Sequence, residues 1–514
     1  MYILTNKQIA ETDKATIKNQ GISSIDLMER AATLCFQWIH DKLKQNNVKI
    51  HVFCGIGNNG GDGLVIAQHL YQHKYNVNCY VVNFRDKRSK EFLINYNRLK
   101  ELGEWPKVIS SESIFPEISK EDIVIDAIFG NGLSRKPTGF TKKLIQHINN
   151  SNAFILSIDF PSGLFGNKSV SDKFSVIKST HILTFQTPKL AFLLPENKEY
   201  VDTWEILDIG LDTEFITDLK PTSKFITKND IKDLYKPRNK WDHKGTFGHS
   251  LIIAGSFGKI GASILATTSA LKIGSGLVTA YIPKCGYTAV QTAIPEAMVE
   301  VDSDNELSYF NFKTIPNVIG IGPGIGTKEK TLEGFKKFIS DNKKSLVIDA
   351  DAINLLSANT NLLKYLPENA VLTPHPKELE RLIGTWKNDF DKLKKASEFS
   401  VKYKTILVIK GAHTVIIKNK NFYFNSTGNP ALATAGSGDV LTGFITGLIA
   451  QGYTPLNASI VGVYLHGKTA DIALQETGYE TFTASSILEY LPDAILNLFE
   501  SAEVANDTNE NKKL

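Results

Sequence analysis

IHVFCGIGNNGGDGLVIAQHL, from Ile50 to Leu70, reads as a strand, a glycine-rich turn and a helix in direct succession. Ile50–Cys54 is a short apolar run of the kind buried on both faces of a parallel sheet. Gly55 to Gly63 interrupts it with five glycines and the polar side chains of Asn58, Asn59 and Asp62. Leu64–Leu70 then resumes with helical spacing. Upstream, Ser23-Ser24-Ile25-Asp26 has the form of a capping box. Ile25, Met28, Ala32, Cys35, Phe36, Ile39 and Leu43 recur three and four residues apart behind it, which makes one apolar helix face. Downstream, Val77–Asn83, Ile123–Ala127, Ala153–Ile158 and His181–Phe185 are further short apolar strands, mostly separated by helical segments. Strand and helix in alternation specify βαβ units and a mostly parallel, doubly wound sheet.

The alternation fades between Leu207 and Ile231, where polar and turn-forming residues dominate, and a domain boundary is placed near Pro221. It resumes with strands at Ser250–Ala254, Gly276–Ile282, Val318–Ile321, Leu346–Asp349, Val371–Thr373 and Ile406–Lys410. A hairpin follows over Thr414–Lys418 and Phe422–Asn425, then helices over Asp439–Ala450 and Leu456–Leu474. With 514 residues, two large cores are expected. The halves share no repeat. The reading is two different doubly wound α/β domains, residues 1–215 and 222–500, with a polar, disordered tail at 501–514.

The bulk numbers exclude several classes. A net charge of +4 with no basic stripe gives no reason to invoke nucleic acid. No apolar run reaches the ~18 residues of a membrane span, and the N-terminus lacks a signal core. Cys35, Cys54, Cys79 and Cys285 form no C-x-x-C pair and read as free thiols, buried where they fall in apolar runs, of a cytoplasmic protein.

Ligands of open α/β sheets bind beyond the carboxyl ends of strands. Three segments of the first half stand there: Gly55–Gly63, Asp126-Ala127-Ile128-Phe129-Gly130-Asn131-Gly132, and Ser157-Ile158-Asp159-Phe160-Pro161-Ser162-Gly163. They should converge on one pocket. The G-x-G-N-N-G-G-D-G run resembles the N-terminal domain of the YjeF family, the NAD(P)H-hydrate epimerases, from about Gln8 to Leu211. That domain implies a Rossmann-like three-layer sandwich. By that resemblance Asn58, Asn59, Gly60, Gly61 and Asp62, with Gly130, Asn131, Gly132, Leu133, Ser134, Arg135 and Lys136, would contact the dinucleotide. Asn59, Asp126 and Ser162 would hold a potassium ion, suited to hard oxygen donors. Asp159 would contact the nicotinamide end and is the candidate acid/base group at the hydrated carbon.

In the second half, Asn429-Pro430-Ala431-Leu432-Ala433-Thr434-Ala435-Gly436-Ser437-Gly438-Asp439 leads into an apolar helix near Val440. Backbone N–H groups of Gly436 to Asp439 would form an anion hole there, with Asp439 as candidate base. A-G-S-G-D resembles the ribokinase-like superfamily. Gly320–Gly326, Asp349-Ala350-Asp351-Ala352, Thr373–Glu378 and Lys410–Thr414, together with Lys240–His249 and Ala254-Gly255-Ser256, narrow the resemblance to the ADP- or ATP-dependent NAD(P)H-hydrate dehydratase domain. It implies that Ala254, Gly324, His375 and Asp439 contact the hydrated dinucleotide. Lys410, Gly411, Ala412, His413, Thr414 and Gly438 would contact the adenine nucleotide, with Mg2+ present. Glu378 either orients that magnesium or caps a helix. Lys410 is a phosphate-binding charge or a strand end. Tyr281 and Trp241 either stack on a ligand or pack.

The joint expectation is an isomerase and a lyase on one chain, acting on hydrated NADH and NADPH, and a homo-oligomer by resemblance. The alternative is a small-molecule kinase of the ribokinase superfamily fused to a ligand-binding domain.

Overall fold

A computed structural model describes residues 1–44 and 46–500; the tail expected at 501–514 lies outside them. The chain divides into two compact units, Met1–Pro221 with Asn388–Phe390, and the remainder.

The first unit opens with helices α1 (Asn6–Gln20) and α2 (Ser24–Leu43). Thr5 with Gln8, and Ser23 with Asp26, form full capping boxes at their starts. Strands β1 (Lys49–Cys54), β2 (Asn76–Val82), β3 (Lys107–Ile109), β4 (Ile123–Ala127), β5 (Phe154–Ile158), β6 (Ser179–Phe185) and β7 (Val201–Leu207) form a seven-stranded sheet in the order β3-β2-β1-β4-β5-β6-β7. Every pairing in it is parallel. The order reverses between β1 and β4, the place where such sheets open a ligand crevice. Helices α3 (Asn58–Gln72), α4 (Lys90–Glu101) and α5 (Gly139–Asn150) follow β1, β2 and β4. One core holds Met28, Phe36, Leu64, Ile66 and Ile125; a second, with Phe53, Val124, Leu144 and Ile148, belongs to the α5 side.

Helix α3 begins at Asn58, six residues before the apolar run that marked it in the sequence. Its glycines are tertiary requirements. A Cβ at Gly60 would lie 1.8 Å from the Gly55 carbonyl oxygen, and one at Gly63 2.6 Å from the Ala127 Cβ. The bare helix surface lies flat on the sheet, which offsets the entropic cost of glycine in a helix.

In the second unit, β8 (Ser223–Ile226), β9 (His249–Ile253), β10 (Leu277–Ile282), β11 (Met298–Val301), β12 (Val318–Ile321), β13 (Ser345–Ile348), β14 (Val371–Leu372), β15 (Ile406–Ile409), β16 (Val415–Lys418) and β17 (Asn421–Asn425) run in the order β8-β17-β16-β15-β14-β13-β12-β9-β10-β11. All neighbours are parallel except around β16, which pairs antiparallel with β15 and β17 as the expected hairpin. The region where the alternation fades contains β8 and a helix over Thr213–Asp218. β8 is only four residues long, too short to show a period. Helices α6 (Ile260–Lys272), α7 (Glu329–Asp341), α8 (Ala350–Ala358), α9 (Pro376–Ile383), α10 (Ser437–Ala450) and α11 (Pro455–Ala473) complete the layers. α10 is buried along nearly its whole length, and Gly443 lets it lie on α6, where a Cβ would be 1.8 Å from the Ser269 hydroxyl.

Among the described residues no helix is long and apolar enough to cross a membrane. Cys35, Cys54 and Cys79 are buried free thiols, and Cys285 is exposed. Tyr281 is core, its hydroxyl donating to Asp302 at 2.9 Å, and Trp241 is exposed.

Candidate functional site

In the first unit the ends of β1, β4 and β5 meet. The Gly55 N–H donates to the Ala127 carbonyl at 2.9 Å, and a Cβ at Gly55 would strike the Ile128 carbonyl at 1.9 Å, so the turns after β1 and β4 lie in contact. A cavity of about 970 Å³ opens over them. Asn58, Asn59, Asp62, Gly130 to Lys136 and Asp159 line it, as expected. Gly60 and Gly61 do not. They face the Gly55 turn and Met28, because one helix cannot turn five successive residues to one side.

Asp126 and Ser162 sit beneath the cavity floor, fully buried. The Asp126 carboxylate accepts from the Ser157 hydroxyl and the Ser162 N–H, both at 2.8 Å, and from the Ser162 hydroxyl. The Ser162 oxygen in turn accepts from the Phe129 N–H at 2.8 Å, which ties the β5 turn to the β4 turn. Burial raises the Asp126 carboxyl above the ordinary range against these hydrogen bonds. Asn59 is the anomaly: its side-chain oxygen and nitrogen are both buried with no hydrogen-bond partner. Buried amides are nearly always satisfied, so an orphan beside oxygen donors marks a place for a ligand or ion. An oxygen set of amide, carboxylate and hydroxyl suits a hard cation such as potassium.

Asp159 has a φ of 60°, an uncommon conformation outside glycine. Its carboxylate receives the Lys189 ammonium at 3.1 Å, and the Thr184 hydroxyl and Phe185 N–H at 3.3 Å. Lys189 was missed in the sequence. It is buried and spends its other two N–H groups on the carbonyls of Phe185 and Thr187, at 2.9 and 3.1 Å. Its position just past β6 was the available signal, by the same strand-end rule that found Asp159. Asp62 is pushed up by burial, then by the charges of Asp159 and Asp13.

In the second unit, backbone hydrogen bonds stitch the strand ends together in order. Gly322 donates to Ile253, Asp349 to Ile321, Thr373 to Ile348 and Lys410 to Pro374, at 3.0 to 3.2 Å. The segments after β9, β12, β13, β14 and β15 therefore lie on one edge, whereas Lys240–His249 leads into β9 at the opposite edge, where the Phe247 and Gly248 carbonyls accept from the Gly276 and Leu277 N–H groups. Ala254 is buried at the end of β9; Gly324 has a φ of 65°, and its carbonyl accepts from the Ser256 hydroxyl at 2.7 Å.

The Lys410 ammonium reaches the Asp349 carboxylate at 2.8 Å, and the other oxygen of Asp349 accepts from the Thr442 hydroxyl at 2.9 Å. Burial opposes the Lys410 charge, but Asp349 beside it prevails and raises it. Gly438 brings the A-G-S-G-D turn onto this pair, where a Cβ would be 3.3 Å from the Lys410 ammonium. α10 starts at Ser437, two residues before the sequence reading, with Gly436 at φ 87° as its cap. No side chain caps it; the Ser437 N–H donates to the Thr434 carbonyl at 3.4 Å, which leaves the Gly438 and Asp439 N–H groups at the helix start to meet an anion. Asp439 in that first turn is raised to about 7 by burial, then by the Asp349 charge, with Lys410 pulling the other way. The His466 ring donates to the Ser437 carbonyl at 2.9 Å and braces the turn; it too escaped the sequence reading.

His375 and Glu378 cap α9 reciprocally: the ring accepts from the Lys377 and Glu378 N–H groups, and the Glu378 carboxylate accepts from the His375 N–H at 2.9 Å. Capping is thus the role Glu378 shows. Gly411 and Thr414 close a small turn through the Thr414 hydroxyl at 3.2 Å, and burial lowers His413. Among the described residues no three His, Cys, Asp or Glu side chains group to hold a metal.

The family model described as YjeF-related protein N-terminus matches residues 24–191, and that described as NAD(P)H-hydrate dehydratase matches residues 250–493. The bifunctional NAD(P)H-hydrate repair enzyme of Moorella thermoacetica is 33% identical, over 98% of each chain. That of Escherichia coli is 30% identical, over 92% of this chain and 89% of its own. A Bacillus subtilis ADP/ATP-dependent NAD(P)H-hydrate dehydratase structure is 28% identical, covers 54% of this chain and 98% of its own, and has a TM-score of 0.47. With both domain models matched in order and a relative alike from end to end, the chain belongs to the family of bifunctional NAD(P)H-hydrate repair enzymes.

Proposed function

We propose that residues 1–215 interconvert the R and S epimers of hydrated NADH and NADPH, and that residues 222–500 dehydrate the S epimer at the expense of ADP or ATP. The observation that supports this reading is that each unit of the chain has an acidic residue at a candidate site: Asp159 lines the cavity of the first, and Asp439 lies in the first turn of α10 in the second.

In the dehydratase unit Asp439 takes the proton of the ring hydroxyl. Its value of about 7 suits a base working near neutrality. The terminal phosphoryl group of the nucleotide passes to that oxygen, with the N–H groups of Gly438 and Asp439 and the Lys410 ammonium meeting its charge. The ring nitrogen's lone pair then expels phosphate from the carbon, the neighbouring carbon loses a proton, and the dihydronicotinamide is restored. Hydroxide leaves poorly and phosphate leaves well, so nucleotide cleavage drives the dehydration. His375 and the Ala254 and Gly324 turns would hold the dinucleotide, and Gly411 to Thr414 the adenine nucleotide. Magnesium would be bound through nucleotide phosphates, its usual mode; among the described residues no three His, Cys, Asp or Glu side chains group to hold it.

In the epimerase unit Asn59, Asp126 and Ser162 would hold potassium, and the orphaned Asn59 amide supports that assignment. The ion when bound would balance the Asp126 charge beneath the β4 turn. Arg135 and Lys136 on the cavity lining would meet the dinucleotide phosphates. Self-association is carried over from the family resemblance, and cytoplasmic residence rests on the free cysteines and the lack of a signal core in the sequence.

Absorbance at the reduced-nicotinamide band tests the reading, with hydrated NADH as an epimer mixture and ADP and ATP supplied separately. Recovery of the whole mixture supports both activities. Recovery that stops at one epimer removes the epimerase. A stable phosphorylated product with no recovery favours the kinase alternative.

A further inference from the structure

Helix α1 lies outside the matched segment 24–191, and nothing in its polar sequence marks a site. Ile9 and Ile17 pack it against the cluster of Leu27, Ala31, Ile209 and Leu211, and this brings Asp13 to the wall of the cavity that holds Asp159. Among the described residues the Asp13 carboxyl has no hydrogen-bond partner of the kind Lys189 supplies to Asp159. The charged groups acting on it are Asp159 beyond β5, Lys189 beyond β6 and Asp62 on α3. Burial, then the Asp159 charge, raises Asp13 to about 6, with Lys189 opposing. The two carboxyl groups are thus placed differently: Asp159 meets a buried ammonium, whereas Asp13 faces open cavity.

The lining carries charge of both signs: Asp13, Asp62 and Asp159 with the buried Lys189, and Arg85, Arg135 and Lys136. A ring that becomes cationic is stabilised among the carboxyl groups, and phosphates are stabilised by the arginines and lysine.

We propose that Asp13 is the second proton-transfer group of the epimerase cavity, protonating the departing ring hydroxyl while the Asp159 carboxylate receives a proton from the incoming water. This rests on the epimerase reading above. The Asp13 proton passes to the hydroxyl oxygen, the ring nitrogen's lone pair forms a carbon–nitrogen double bond, and the carbon–oxygen bond breaks to release water. A second water adds to the same carbon from the other face. Its proton goes to Asp159, and the double-bond electrons return to nitrogen. Exchange with solvent resets both carboxyl groups, and the reverse inversion uses them in exchanged roles. Nothing is oxidised or reduced.

The test follows inversion of a single epimer of hydrated NADH by chromatography, with nucleotide withheld. Asp13→Asn is expected to lower kcat at least about a hundredfold, with KM little changed. Asp13→Glu should recover part of the rate. The native chain should lose rate as pH rises through about 6, as Asp13 gives up its proton, and Asp13→Asn should lack that limb. In ¹⁸O-water each inversion should place one solvent oxygen on the ring. Unimpaired dehydration of the S epimer with ADP shows that the variant chain is folded and active elsewhere. Native kcat in Asp13→Asn, or loss through KM alone, overturns the role of Asp13. Retention of the original oxygen overturns the water-exchange step, a measurement that needs no variant. A native chain that inverts nothing overturns the epimerase reading itself.

Discussion

Replacing Asp349 by asparagine should move the acid limb of the dehydration rate to lower pH. Asp439 stands at about 7 against its ordinary 3.8. That difference corresponds to about 4 kcal/mol against the charged form, at about 1.4 kcal/mol per pKa unit. After burial, the Asp349 charge is the largest contributor. Asp349→Asn removes it and frees the Lys410 ammonium, now 2.8 Å from Asp349, to act more strongly on Asp439, with Glu378 as its other acidic neighbour. Both changes favour the carboxylate, so a fall of at least about one unit is expected. The base must be ionised to take the hydroxyl proton, so the native rate rises with pH through about 7. At pH 6 the native base is about one-tenth ionised and the variant about half, a gain of about fivefold relative to each plateau. The assay is the pH dependence of kcat/KM for the S epimer at saturating ADP. Asp351→Asn, the weakest of the named influences, should shift the limb less. An unmoved limb in Asp349→Asn, or a larger shift in Asp351→Asn, would refute the electrostatic account.

Potassium should raise the melting temperature of the native chain relative to lithium at equal ionic strength, and Asn59→Ala should abolish the difference; equal melting temperatures in both salts would count against the ion site. His466 is buried and lowered to about 4, so the unfolded chain binds its proton near 6.5 and the folded chain does not. Stability is then complete above about 6.5 and declines by about 3 kcal/mol as pH falls towards 4, a loss that urea titrations should find reduced in His466→Asn. Gly443→Ala would place a Cβ 1.8 Å from the Ser269 hydroxyl and 2.2 Å from the Ala266 carbonyl, and should cost about 1–3 kcal/mol or more in thermal unfolding; an unchanged melting temperature would show that α6 and α10 can part freely.

What the sequence determined alone is what depends on neighbours along the chain. Strand and helix periods, the Ser23–Asp26 capping box, the β16–β17 hairpin and the polar turns after β1, β4, β5, β13 and β14 are all local patterns, and the parallel topology places those turns on one edge in each unit. Helix starts were misplaced where that local logic failed. At Asn58 and Ser437, glycines that read as a break lie at the start of or within helices; at Gly60 and Gly63, contacts with Gly55 and Ala127 leave no room for a side chain. Only the tertiary structure decided which residues act together. Asp13 comes from a polar helix whose spacing speaks only of solvent on one face. Lys189 is a single lysine after a strand, and Thr442 and His466 are ordinary members of apolar helices. Their partners are tens to more than a hundred residues away: Asp13 meets Asp159, and Thr442 meets Asp349. Chain order carries no record of such a meeting; burial and charge act on whatever the packing brings within reach.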